Sequence, residues 1–177
     1  MAMKMLEAGG LALVTDGQRS ADSDNPQGYF EDERVLDLAQ KPDRSWLREC
    51  RGRAVKIISF LLKDLPEDNL YRVIFMQRAL AEILASQRKM LDHRSADDDM
   101  GDARMEEIYT EHLRTVKFML GYRRHFEVLY VQHRETLQEP TSMAKSLNDF
   151  LGGSLGGDLD VEAMAAVVDP RLYRNRA

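Results

Sequence analysis

Three short runs constrain this fold more than any other feature of the sequence: AVKIISFLL (54–62), YRVIFMQ (71–77) and FEVLYVQ (126–132). Each is rich in β-branched and aromatic residues and almost continuously apolar, the pattern of a strand covered on both faces. Two helical stretches separate the second run from the third. ALAEILASQRKMLDHR (79–94) places Leu80, Ile83, Leu84 and Leu91 at helical spacing. After the polar break SADDDMGDA, RMEEIYTEHLRTVKFMLGYRR (104–124) carries Ile108, Leu113, Val116 and Leu120 as a second apolar stripe. Strands separated by helices longer than ten residues pair in parallel through right-handed crossovers. The expectation is an α/β domain over residues 1–177, with a central, mostly parallel sheet of about four strands flanked by helices.

The remaining elements are shorter. MAMKMLEAGG reads as a helix stopped by Gly9 and Gly10. LALVTD (11–16) is either a short strand or an extended segment, and the Ser, Asp, Asn, Pro and Gly of residues 17–28 are loop chemistry. Two acidic helices follow near 31–40 and 43–51, interrupted by Lys41-Pro42. Towards the end, TSMAKSLNDFLGG (141–153) is a helix with Thr141 as its expected cap. Asp160 then caps VEAMAAVV, which Asp169-Pro170 ends.

Charge and composition remove several classes of function. With 25 Lys and Arg against 30 Asp and Glu the chain carries a net charge of −5, the wrong balance for general binding to nucleic acid or to an anionic membrane. No apolar run approaches the ~20 residues that span a bilayer, and the opening lacks the apolar core of a secretory signal. The single cysteine, Cys50, excludes a disulfide framework and a Cys-rich zinc site. A reducing, cytoplasmic setting is the default expectation. His93, His112, His125 and His133 show no metal-ligand spacing and read as surface or helix-end residues.

In a parallel sheet, ligands bind beyond the carboxyl ends of the strands. Arg78 follows YRVIFMQ directly, and Ser86 stands eight residues later in the helix. An Arg fork and a hydroxyl near a helix N-terminus could clamp a phosphate. The plainer reading is an Arg78 salt bridge to an acidic helix and a small residue at a helix contact; from spacing alone it is the stronger. A phosphate-transferring kinase would need a G-x-x-x-x-G-K-[ST] loop, and the sequence contains none.

The stretch YRVIFMQRALAEILASQRKML resembles the 3′-phosphate-binding segment of sulfotransferases that use 3′-phosphoadenosine 5′-phosphosulfate (PAPS), in which an Arg ends a strand and a Ser follows eight positions on. FEVLYVQHRETLQEPTSMAKSLNDFLGG is similar to a later strand, acidic turn and helix of that family, with HRETL at the turn and Glu139-Pro140 at the helix start. DNPQGYFEDE and VDPRLYRNR resemble a bacterial subgroup, so the likeness runs from Met3 to Arg176. It implies a P-loop-like sulfotransferase fold and transfer of a sulfuryl group from PAPS to a hydroxyl or amine. By the same likeness Arg78, Ser86 and, more weakly, Arg174 would hold the 3′-phosphate, with no metal required. The base that takes the acceptor's proton would be Glu31, with Glu33 in reserve. A Glu serves there where burial holds its proton more tightly, and Tyr29 and Phe30 would form the apolar wall. Lys56, in AVKII, would point into the cleft and meet substrate or Glu31, because a central strand has little room for an unpaired amine. At a strand end it could instead reach solvent.

The resemblance also implies a gap. The family's first strand and its Pro-Arg/Lys-Ser-Gly-Thr loop, which holds the 5′-phosphosulfate, match nothing here, and MAMKMLEAGG resembles the helix that follows that loop. The expectation is a domain short of roughly its first 20 residues. The alternative function is then a non-catalytic remnant that binds a nucleotide or a partner at most. A sheet left with an unpaired central strand would tend to form homo-oligomers. The acceptor itself, whether small molecule, glycan or protein, is not legible.

Overall fold

The computed structural model describes residues 1–19, 28–83 and 102–172. Among the described residues there are four strands: β1 (Leu13–Val14), β2 (Ala54–Val55), β3 (Tyr71–Gln77) and β4 (Phe126–Gln132). They form two parallel ladders, β1 with β2 and β3 with β4, rather than one four-stranded sheet. The longer ladder runs in unbroken register from Tyr71 opposite Phe126 to Gln77 opposite Gln132.

Both ladders are covered on two faces, as their apolar sequences require. Alternate residues divide between the faces. Ala54, Ile74, Met76, Leu129 and Val131 join one cluster with Met5, Leu147, Leu151 and Met164. Val55, Val73, Phe75, Phe126 and Val128 join the other, with Leu38, Leu62, Val116 and Leu120. The first cluster is capped by helices α1 (Ala2–Ala8), α5 (Pro140–Leu155) and α6 (Val161–Ala166). The second lies under a 3-10 helix Glu33–Ala39, α2 (Trp46–Glu49), a 3-10 helix Ser59–Asp64 and α3 (Asp102–Tyr122). The short helix α4 (His133–Gln138) continues directly from β4. The architecture is mixed α/β with parallel pairing.

Several expectations change. AVKIISFLL is a strand only at Ala54–Val55, and its second half is the 3-10 helix Ser59–Asp64. A continuous apolar run satisfies either periodicity; here Leu62 and Leu65 turn into the second cluster while Phe60 stays exposed, a helical division of faces. The segment near 31–40 is 3-10 rather than α, capped by Asp32, whose side chain accepts from the Arg34 amide. Thr141 does not cap α5: Glu139 takes the cap position and Pro140 the first turn, where its missing N–H costs nothing. That helix also runs through Gly152 and Gly153 and stops at Gly156, whose φ of 74° is the left-handed stop. Asp160 caps α6 as expected, accepting from the Ala163 amide.

Candidate functional site

The carboxyl ends of β1 and β2 hold the first group of polar side chains. Past β1, the Thr15 hydroxyl and the Asp16 amide both donate to the Glu31 carbonyl at 3.1 Å. The Asp16 carboxylate accepts the Glu33 amide at 2.7 Å. These bonds fix segment 29–33 across the strand end, with Phe30 turned to a φ of 52°. The Glu31 side chain is thereby aimed at Lys56, the residue after β2, and the two meet at 2.9 Å. The same ammonium donates to the Tyr29 carbonyl at 2.9 Å. Arg19 lies flat on the Tyr29 ring, 3.3 Å from its centre, and reaches the other Glu31 oxygen at 3.4 Å.

The contact anticipated between Lys56 and Glu31 is therefore present, although Lys56 follows the strand instead of lying within it. The surroundings of Glu31 differ from expectation. Its side chain is 40% exposed and is held by two cations, not walled by Tyr29 and Phe30.

A second group gathers at the ends of β3 and β4. Arg78 follows β3 and gives its Nε–H to Glu82 at 2.9 Å, one helical turn on. The Glu82 side chain is only 8% exposed, so this is a carboxylate withdrawn from water and held by its guanidinium. The plainer reading of Arg78 as a salt-bridge partner thus has its acid. The Gln77 and Gln132 side chains, opposite each other in register, are joined at 2.6 Å. His133 then begins α4; burial, and after it the charge of Arg78, pulls its imidazolium below the usual range. Ser86 and Arg174, the other two residues expected at the phosphate, lie outside the described residues.

The amino terminus is a charge that acts on both groups: burial and then the charge of Lys56 pull the Met1 amino group below its usual range, and that amino group adds weakly to the effects of burial and Arg78 on His133. Each group sets cations against a carboxylate at the carboxyl ends of parallel strands, Lys56 and Arg19 against Glu31, and Arg78 against Glu82. That mixture can hold a small anion against placed cations and can move a proton.

Two features of the second group are legible in the sequence itself. Glu82 stands four residues after Arg78, the ordinary spacing of a helical ion pair. His133 stands at the end of β4 as Arg78 does at the end of β3. His133 also stands at a helix end, as expected of it, and His112 is half-buried within α3 rather than free at the surface. It bonds Ser59 Oγ at 2.8 Å and stacks on Phe60 at 3.6 Å, lining a cavity of about 250 Å³ between the 3-10 helix Ser59–Asp64 and α3. Cys50 is buried, which pushes its thiol up and keeps it protonated. Among the described residues no three metal-ligating side chains gather, and no helix is long and apolar enough to cross a membrane.

No family model, no curated protein and no solved structure matches this chain.

Proposed function

We propose that the chain is a sulfotransferase-like domain whose strand ends receive PAPS and an acceptor hydroxyl or amine. The observation that carries this reading is that Lys56, Arg78 and His133 each stand just past the carboxyl end of a parallel strand, where α/β folds place ligands. A bisphosphorylated nucleotide needs several fixed donors, and these residues suit it. The buried Glu82 carboxylate sets the plane of the Arg78 guanidinium at the end of β3. When bound, the nucleotide would supply the sulfuryl group. By resemblance to the family Glu31 would take the acceptor's proton; both of its oxygens are held by cations, so the acceptor would have to displace Arg19 from one of them while Lys56 keeps the other. Ser86 and Arg174 complete the proposed phosphate contacts by resemblance to the family.

A second reading, binding of the nucleotide or a partner without transfer, is favoured by one observation: Arg78 is already engaged by Glu82. One ligand and two substitutions separate the readings. Adenosine 3′,5′-bisphosphate should raise the melting temperature of the full chain, and Arg78→Lys, which keeps the charge but loses the planar fork, should remove most of that shift. No stabilisation at millimolar nucleotide would sink both readings of the site as a nucleotide pocket. Glu31→Gln should abolish transfer from PAPS while sparing the thermal shift. A wild-type chain that is stabilised by the nucleotide yet transfers nothing would leave the binding reading.

A further inference from the structure

Ser59 opens a 3-10 helix, a place where a serine hydroxyl ordinarily turns back on its own backbone. Here its bond goes across the fold instead, to His112 Nε2 in the middle of α3, at 2.8 Å. The two residues are 53 positions apart, so only the packing of the 3-10 helix on α3 brings them together. The Phe60 ring lies flat on the imidazole, with ring centres 3.6 Å apart and planes within 8° of parallel, and fixes its orientation. Burial pulls the His112 imidazolium below its ordinary range, so near neutral pH the ring is uncharged. An uncharged imidazole keeps one nitrogen that accepts a proton. With Nδ1 protonated, that nitrogen is Nε2, the one facing the hydroxyl.

The pair lines the cavity of about 250 Å³ between the two helices. His112, Val116 and Met119, at i, i+4 and i+7, turn one face of α3 towards it. Val116, Met119 and Phe60 give the cavity an apolar wall, and Glu111 and Lys63 stand beside it. Arg114 takes up the Glu111 carboxylate at 2.8 and 3.0 Å. Lys63 is then the charge that an anion developing in the cavity would meet. None of these residues belongs to the strand-end groups, so this site is independent of the function proposed for them.

We propose that Ser59 and His112 are the nucleophile and base of an acyl-transfer site that takes a small, apolar carboxylic ester. A hydroxyl within hydrogen-bond reach of a base that a third group orients is the arrangement such chemistry needs. Ser59 Oγ attacks the carbonyl carbon of the ester while its proton passes to His112 Nε2. The carbonyl oxygen becomes an oxyanion, whose charge the Lys63 ammonium offsets. The bond from that carbon to the alcohol oxygen then breaks, and the alcohol leaves with the proton from Nε2. Water attacks the acyl-serine in the same way: it gives a proton to Nε2, the bond to Oγ breaks, and Ser59 recovers its proton. Ester and water become acid and alcohol. The cavity is smaller than one that holds a drug-sized ligand, which limits the acyl group to a short chain or a single ring.

The test is the reaction of the full chain with p-nitrophenyl acetate. Hydrolysis should saturate with ester, and acid quenching should trap an acetyl group on the peptide that contains Ser59. Ser59→Ala should abolish both, with circular dichroism showing the variant folded, since it removes only a hydroxyl. His112→Asn should slow the reaction by about a hundredfold or more, the ordinary effect of losing a general base. A small alkyl fluorophosphonate should label the same serine, and Ser59→Ala should remove that label. A wild-type chain left unacylated would overturn the proposal. So would acetyl groups found only on lysines or the amino terminus, or hydrolysis that survives Ser59→Ala.

Discussion

Gly9 shows how much one residue's environment can hide from its sequence. Glycine after α1 reads as a conformational stop, but Gly9 has an ordinary φ of −73°, and the left-handed residue is Gly10, at 92°. What Gly9 provides is space. A Cβ there would stand 2.7 Å from Met164 Cγ and 2.8 Å from its sulfur, and Met164 is fully buried. Gly9→Ala should therefore destabilise by about 1–3 kcal/mol through overpacking, read as a lower urea midpoint. In a double-mutant cycle Met164→Ala should recover part of that loss, because it removes the atoms in the way. The candidate site divides in the same manner. Lys56 could be paired with Glu31 from sequence because an amine beside a strand demands a partner. Nothing in the sequence reveals that Thr15 and Asp16 would pin the Glu31 backbone, since those bonds join residues 15 or more apart.

Among the elements, α6 has the plainest local logic. It is only six residues long, so its first turn matters disproportionately, and Asp160 satisfies the Ala163 amide there. The Asp160 amide in turn donates to the Gly9 carbonyl at 3.1 Å, tying the cap to the end of α1. Asp160→Ala should cost about 1 kcal/mol in chemical denaturation, and Asp160→Asn should recover most of it because the amide oxygen still accepts. This cap, the two long strands and α3 were legible because each is marked by side-chain chemistry or by a sustained period. AVKIISFLL was not. A nine-residue apolar run gives no period to choose between strand and helix, and packing against the second cluster decided it.

The molecule as a whole should respond to acid in two steps. His112 and His133 are both depressed by burial, so the unfolded chain binds protons there before the folded one does. Their contribution is complete above about pH 6.5, the unperturbed value, and is lost as the pH falls from there towards the folded-state values. Asp32 is depressed chiefly by its hydrogen bond to Arg34. Its contribution is present above the ordinary carboxylate range and disappears as the pH falls through the lowered one. The exposed pairs Arg48–Asp68 and Arg171–Asp169 add little to either step. Urea midpoints measured between pH 8 and pH 3 should therefore decline from near neutrality, and replacing both histidines by Asn should flatten the upper step while leaving the lower one. The parallel ladders have a kinetic consequence at this scale too. Tyr71 pairs with Phe126, 55 positions on, and Leu13 with Ala54, 41 positions on. Neither ladder can begin as a hairpin, so large loops must close before any strand finds its neighbour. A helix such as α3, whose bonds are all local, can form and dissolve many times during that search. Refolding should therefore be slow compared with a helical bundle of this length, and its transition state should already hold the register between β3 and β4.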